Sequence, residues 1–423
     1  MIFSVFGLGN IGISLVCIFA SIGKVIGADL DEKKVRMINE GISPLSNEVK
    51  VPKLLKKYVK QRKIKATNDL NYAARNSDVK VIIVPLILKE NKPDFSNIKS
   101  VSKIIGKNLK KEDLVIVSTT MPLGATRNFI GKILEKESKM KMGRDFYLVY
   151  APERAMIPHV IEDLTEKWHQ IIGGVNRKSA EVAKSIYKKI NKKGVILVEN
   201  CETAEMIKLL EGIYRYVNIA LANEIALLCE KFKIDFIEVM KNFNLIPYYN
   251  LHKATIGVGG HCIPIYPNFV LEHLNNPNLI SLSIEINKNM PKHSVEIIEK
   301  NFGPLKNKKI AVLGLSYKGN VKEDRFSPTY DVLEILKKRG AEVYINDPFY
   351  SKKELEEKTK AKFIELKNLN FMDGVIVATD HDEFKRINFK GNVKFVFDGK
   401  SFLNPKKIIK KGIKYLAIGR NCF

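Results

Sequence analysis

Ile2-Phe3-Ser4-Val5-Phe6-Gly7-Leu8-Gly9-Asn10-Ile11-Gly12 runs without a charged residue into the apolar stretch 13–22, and Val25-Ile26-Gly27-Ala28-Asp29 follows. Residues 1–6 read as a strand, 7–12 as a tight turn, 13–22 as a helix and 24–29 as the next strand, a βαβ unit. The uncharged stretch 2–23 is long enough to imitate a membrane span or signal segment. It lacks a basic leader, however, is interrupted by Gly7, Gly9, Asn10 and Gly12, and runs straight into the second strand, so no membrane role is expected. Farther along, 79–85, 113–119 and 146–151 are short apolar runs separated by polar, helix-like stretches. That alternation is the pattern of a mostly parallel sheet covered on both faces.

The turn also points to a ligand. A strand, a Gly-x-Gly-x-x-Gly turn, a helix and an acid at the end of the next strand fall in the register expected of a dinucleotide site. Gly7 permits the turn, Gly9 lets backbone approach a pyrophosphate and Gly12 allows close helix–sheet packing. Asn10 and Ile11 place backbone N–H groups of the helix N-terminus toward the phosphates. Asp29 would bond ribose hydroxyls and repel a 2′-phosphate, which favours NAD over NADP, whereas neighbouring Asp31 suits a solvated turn.

At 423 residues and 45% apolar content the chain can fill two or three cores, so at least two domains are expected. Cys17, Cys201, Cys229, Cys262 and Cys422 are odd in number and contain no Cys-x-x-Cys pair, which argues against a disulfide framework and a structural zinc site. No metal is expected, and a reducing cytoplasm fits best. The net charge of +25 comes from lysines scattered through stretches such as 53–65 and 184–193. A solvated surface explains that distribution better than a nucleic-acid stripe.

From 201 to about 243 the pattern changes to long helices, with Ile207, Leu210, Tyr214, Val217 and Leu221 as an apolar stripe. Its continuation, 219–229, suits either a dimer contact or interior packing. After Pro291 a second βα pattern begins at 310–314, passes through a helix at 330–339 and reaches strands at 342–346, 374–379, 393–398 and 415–418. The fold class is therefore α/β, two Rossmann-like parallel-sheet domains joined by a long-helix central region. The expected boundaries are 1–198, 199–300 and 301–423.

Gly257-Val258-Gly259-Gly260-His261-Cys262-Ile263-Pro264 sets a thiol behind closely spaced glycines, where backbone can approach a substrate. Cys17 and Cys229 read as buried hydrophobes, but this setting marks Cys262 as a reactive thiol. The segment 259–264 resembles the active-site signature of the UDP-glucose/GDP-mannose dehydrogenase family. Gly41-Ile42-Ser43-Pro44, Thr119-Thr120-Met121-Pro122-Leu123-Gly124, Ala151-Pro152-Glu153-Arg154 and Thr203-Ala204-Glu205-Met206-Ile207-Lys208 resemble further motifs of that family, in order. So do 218–224, 313–318, Arg325, Ser327-Pro328, Asp347-Pro348 and 378–381. The Gly-Val-Gly-Gly-His-Cys form with Ala-Pro-Glu-Arg is most similar to the branch acting on UDP-N-acetyl-D-mannosamine.

The resemblance implies an NAD-dependent two-step oxidation of a UDP-hexosamine C6 alcohol to the uronate through a thiohemiacetal and thioester on Cys262. It gives 1–198 to NAD, 199–300 to the cysteine loop and dimerisation, and 301–423 to the UDP-sugar. It makes Lys208 the cation that lowers the thiol's pKa and stabilises oxyanions, Glu153 the group activating water, and Thr120 a bridge between cofactor and water. Arg154, Lys208, Arg215, Gly259, Lys318, Arg325 and Lys400 are the residues expected to meet the substrate, with Lys400 standing where the family usually has Arg. A homodimer or higher homo-oligomer is also implied.

Three positions depart from the family pattern. Tyr266 replaces an Asp four residues after Cys262, Gly212 replaces an Asn four residues after Lys208, and Ile284 replaces an Arg before Met290-Pro291. Tyrosine is normally protonated at neutral pH and cannot hold water as a carboxylate does, so thioester hydrolysis is the step these changes touch. Gly212 also puts a poor helix former inside a helix, at about 1 kcal/mol relative to Ala. A catalytically impaired nucleotide-sugar-binding homologue with a regulatory or subunit role is the alternative to an active enzyme.

Overall fold

The computed structural model describes residues 1–44, 48–89, 92–260 and 262–420; His261 and Cys422 lie outside them. The chain divides into two compact units, Met1–Glu211 and Gly212–Phe423.

The first unit is built on β1 (Ile2–Phe6), β2 (Lys24–Ala28), β3 (Ile64–Thr67), β4 (Val79–Ile82), the hairpin β5 (Ile87–Lys89) and β6 (Lys92–Asp94), then β7 (Leu114–Val117), β8 (Tyr147–Tyr150), β9 (Gln170–Gly174) and β10 (Val195–Val198). Its eight-stranded sheet has the order β10-β9-β8-β7-β4-β1-β2-β3, and from β3 to β8 every pairing is parallel. β9 runs antiparallel to β8 and carries β10 parallel to itself. Strands rich in Val, Ile and Leu such as β7 are buried throughout because helices cover both faces. Packed among the apolar side chains of this unit are Phe3, Val5, Ile13, Val16, Val81, Ile116 and Val149.

The first helix spans Asn10–Phe19, three residues earlier at both ends than the apolar run suggested, because Gly9 takes the extended N-cap conformation and starts the helix inside the glycine motif. At ten residues it is far too short to cross a bilayer. No helix among the described residues is long and apolar enough to do so. Three strands carry weak sequence signals: β3 alternates with lysine, β9 ends in two glycines, and β10 is a partly exposed edge.

The second unit holds the helices Phe236–Phe243 and Leu279–Phe302, and a six-stranded sheet of β11 (Lys309–Leu313), β12 (Glu342–Asn346), β13 (Lys362–Phe363), β14 (Gly374–Val377), β15 (Phe395–Asp398) and β16 (Lys414–Leu416). The order β13-β12-β11-β14-β15-β16 is parallel throughout. It is the doubly wound 3-2-1-4-5-6 arrangement, the same as β3-β2-β1-β4-β7-β8. The first turns also match. Gly7 N donates to Ala28 O at 2.8 Å and Leu8 N to Asp29 Oδ2 at 2.8 Å, while Gly314 N donates to Asn346 O at 2.7 Å and Leu315 N to Asp347 Oδ2 at 2.8 Å.

The helix Cys201–Phe232 is a single rod of 32 residues. The apolar stripe read from the sequence is not its core face, since Leu210, Tyr214 and Leu221 are 55%, 50% and 49% exposed. Ala204, Leu209, Tyr216, Ala220, Ala222 and Ala226 are buried instead. The small side chains on that face allow close packing, which hydrophobicity alone does not reveal.

One charged pair sits deep in the first unit. Lys80 Nζ, fully buried in β4, lies 2.5 Å from Asp113 Oδ2 and also donates to Ser77 O, while Asp113 accepts Lys110 N at 2.7 Å. Replacing Lys80 by Leu leaves a buried carboxylate without its counter-charge and is expected to cost about 3–5 kcal/mol in urea unfolding. Lys80→Leu combined with Asp113→Asn, which keeps the acceptor for Lys110, is expected to recover more than half of that loss.

Candidate active site

At the turn after β1, the three glycines are required for different reasons. A Cβ on Gly12 would lie 1.9 Å from Gly7 O, and Gly7 has φ +100°, so both positions are closed to side chains by the protein itself. Gly9 has φ −77°, and a Cβ there would meet nothing within 4 Å. Among the described residues, no packing contact or backbone conformation demands a glycine at this point. The open space lies at the N-terminus of the helix that begins with Asn10 and Ile11, where unsatisfied N–H groups suit an anion. These residues therefore fit a dinucleotide pyrophosphate.

Asp29 closes the turn. Its Oδ2 accepts Leu8 N, its Oδ1 accepts Asp31 N at 3.0 Å, and Lys34 Nζ stands 3.5 Å away. Asp31, read from the sequence as a solvated turn acid, is exposed and also caps the helix Glu32–Asn39 by accepting Lys33 N and Lys34 N.

A second cluster of the same unit joins the loop after β8 to the long helix. Lys208, 6% exposed, donates from Nζ to Glu153 O at 2.5 Å and stands 3.5 Å from Glu153 Oε1 and 3.9 Å from Glu211 Oε2. Burial raises the Glu153 pKa, and the Lys208 charge opposes that rise in part. Arg154 is bound to Glu211 through Nε. Glu211 was not singled out in the sequence, although an acid three residues after a lysine on one helix is a recognisable signal.

Glu205, also missed, is fully buried and accepts Gly124 N at 2.5 Å and Thr126 N at 2.8 Å. Burial pushes its pKa up to about 7. It ties the turn carrying half-buried Thr120 to the helix, while Thr119 Oγ1 secures the other end by donating to Val84 O at 2.7 Å.

In the second unit, Cys262 is half-buried, whereas Cys17, Cys201 and Cys229 are buried. Burial pushes the Cys17 and Cys201 thiols up to about 12 and raises Cys229, so these three are poor nucleophiles. The cysteine segment packs against the loop carrying Arg325: Gly260 N donates to Arg325 O at 2.8 Å, and a Cβ on Gly259 would meet Tyr317 Cβ at 2.6 Å. Arg325 forms a two-pronged pair with Glu323 at 2.8 and 2.7 Å, which raises its pKa, with smaller contributions from Tyr317 and Cys262.

Arg215, exposed on the long helix, acts on the same group of residues. It lowers the pKa of Tyr317, whose burial wins and raises it, and helps burial lower that of His252. Lys318 is exposed. Lys400, its pKa lowered by burial, donates to Thr255 Oγ1 at 3.0 Å. Thr255 N reaches Asn223, and Asn223 bonds Asn287. Cys262, Gly259, Arg325 and Arg215 thus share one neighbourhood, and Lys400 belongs to a buried polar chain that reaches it through Thr255, which donates to Gly257 O at 3.3 Å, Gly257 and Gly259 both lying against Pro328.

The glycines separate binding from folding. Gly9→Ala is expected to leave the melting temperature unchanged while raising the NAD dissociation constant about tenfold or more, because backbone approach to the pyrophosphate is lost. Gly12→Ala is expected to lower the melting temperature itself. Thermal unfolding and NAD titration of both variants check the pair.

Comparison with known proteins bears on the whole chain. Residues 1–191 match the NAD binding domain of the UDP-glucose/GDP-mannose dehydrogenase family, 202–289 its central domain and 311–405 its UDP binding domain. A UDP-N-acetyl-D-mannosamine dehydrogenase of Pyrococcus horikoshii is 33% identical over 431 residues, covering 99% of both chains. One from Campylobacter jejuni is 34% identical, covering 92% of this chain and 98% of its own. The solved structure of the UDP-D-ManNAc dehydrogenase from P. horikoshii superposes with a TM-score of 0.90 at 31% identity, over 99% of each chain. With its glycine turn and Glu153 in the first matched region, Lys208 and the cysteine segment in the second, and Lys318 and Arg325 in the third, the chain belongs to the UDP-glucose/GDP-mannose dehydrogenase family.

Proposed function

We propose that the protein oxidises the C6 alcohol of UDP-N-acetyl-D-mannosamine to the uronate, consuming two NAD and one water per sugar. The observation that carries this reading is the buried Lys208–Glu153 cluster, an ammonium beside a carboxylate of raised pKa, both at positions of the motifs that resemble the family's. The substrate is the one named for the similar proteins from P. horikoshii and C. jejuni. Residues 1–198 serve the cofactor, 199–300 carry the cysteine segment and 301–423 receive the UDP-sugar.

NAD, held by the turn Gly7 to Gly12 with Asn10, Ile11 and Asp29, supplies the hydride acceptor for both oxidations. Cys262 Sγ adds to the aldehyde carbon, and loss of hydride and a proton from that thiohemiacetal leaves a thioester. Water then attacks the acyl carbon, the C–S bond breaks, and the carboxylate departs as the thiol is regenerated. Lys208 stabilises the oxyanion of each tetrahedral species. Glu153 takes the proton from water, and Thr120 holds that water beside the cofactor. Arg154, Arg215, Gly259, Lys318, Arg325 and Lys400 orient the UDP-sugar. The exposed face of the long helix at Leu210, Tyr214, Leu221 and Leu228 is covered by a second copy in a homodimer. A reducing cytoplasm keeps the reactive thiol available.

Purified protein with UDP-N-acetyl-D-mannosamine and NAD is expected to yield two NADH per uronate, read by absorbance and mass spectrometry. Cys262→Ser is expected to form no uronate. Glu153→Gln is expected to slow uronate release by about 10²-fold and to accumulate an acyl-enzyme visible by intact mass.

Glu153 works as a base when ionised, and its raised pKa places the acid limb of the rate profile above the ordinary glutamate range. Uronate release therefore falls as pH drops through that limb, and Glu153→Gln removes it. A profile with its limb unmoved in the variant would overturn the assignment of Glu153.

A further inference from the structure

Gly212 and Tyr266, separate departures from the family pattern in the sequence, touch each other. A Cβ on Gly212 would lie 2.4 Å from Tyr266 Cδ2, 3.1 Å from Cγ and 3.2 Å from Cε2, so the ring lies directly against the bare helix backbone. No side chain fits at 212 while the ring is there. The cost of glycine inside a helix, about 1 kcal/mol relative to alanine, thus has a local cause. Tyr266 is 6% exposed, and Phe269 packs beside it with ring centroids 6.2 Å apart.

The ring is also tied to the reactive residue through backbone. Tyr266 opens the short 3₁₀ turn Tyr266–Phe269, and the amides of Ile265 and Tyr266 both donate to Cys262 O, at 3.1 and 3.0 Å. Two bonds to one carbonyl, followed at once by a ring seated on a helix, leave the Cys262 backbone little freedom to turn.

We propose that Gly212 and Tyr266 form one steric unit in which the ring, seated on the bare helix, positions the Cys262 turn. Tyr266 is thus a positioning residue for the thiol, and the two sequence departures are a single exchange. The proposal rests on Cys262 as the nucleophile of the reaction described above.

Four variants test it: Gly212→Ala, Tyr266→Ala, the double variant and Tyr266→Phe. Each is read by the rate of uronate formation, the NAD dissociation constant and the rate of Cys262 alkylation by iodoacetamide, followed by peptide mass spectrometry. Gly212→Ala is expected to lower kcat about tenfold, as misplacement of a reacting group does, and to change the alkylation rate with NAD binding unmoved. In the Tyr266→Ala background the same change at 212 is expected to alter neither rate by more than about twofold, the non-additivity of residues in contact. Tyr266→Phe, which keeps the ring, is expected to stay near the parent.

Equal losses from Gly212→Ala in both backgrounds, parental behaviour of Gly212→Ala, or a Tyr266→Phe as impaired as Tyr266→Ala would each overturn the proposal. If Gly212→Ala does not fold, the contrast between Tyr266→Phe and Tyr266→Ala decides. Uronate formation by Cys262→Ser would instead sink the nucleophile reading, and the alkylation coupling would still report on the steric unit.

Discussion

The hydrogen bond from Leu8 N to the Asp29 carboxylate, beside a Gly12 packed onto Gly7 O, is the constraint on which the first unit depends. It fixes where β1 stops, where the first helix starts and which amides that helix leaves unbonded. The chain repeats the device at Gly314, Leu315 and Asp347, on a sheet of the same strand order. The two acids then diverge. Asp347 is buried and takes four donors, Leu315 N, Ser316 N, Phe349 N and His381 Nε2, so its oxygens are spent within the protein. Asp29 keeps an edge toward solvent beside Lys34. One backbone solution thus supports an open acid in one unit and a sealed one in the other.

Around Lys208 the first unit concentrates charge that an apolar core would exclude. Its ammonium faces a backbone carbonyl and two carboxylates, and Arg154 neutralises one of these from the other side. Removing any member of such a set strands the others, which ties the loop after β8 to the long helix. Glu205 does the same for the Thr120 turn with backbone amides in place of cations. The second unit balances Arg325 against Glu323 in a comparable way, which holds the guanidinium in one orientation beside the cysteine segment.

Much of this was legible in the sequence where information is local. The glycine turn with Asp29, the alternating strands and the glycine-rich setting of Cys262 follow from neighbours along the chain. What was not legible depends on distance across the fold. The stripe through Leu210, Tyr214 and Leu221 was visible as a pattern, yet its orientation depends on what packs against the small residues opposite. Glu205 and Glu323 look like ordinary surface acids until their partners, dozens of residues away or folded back on a loop, are seen. Gly212 and Tyr266 were each noticed, but their contact spans 54 positions of sequence and no spacing rule connects them.

The closeness of Gly12 to Gly7 O has a consequence for the energetics of association. A turn wedged this tightly has little conformational freedom left, so it loses little conformational entropy when a dinucleotide arrives. The entropy of ordering this loop was lost at folding, so more of the interaction free energy at the turn is left to hold the dinucleotide.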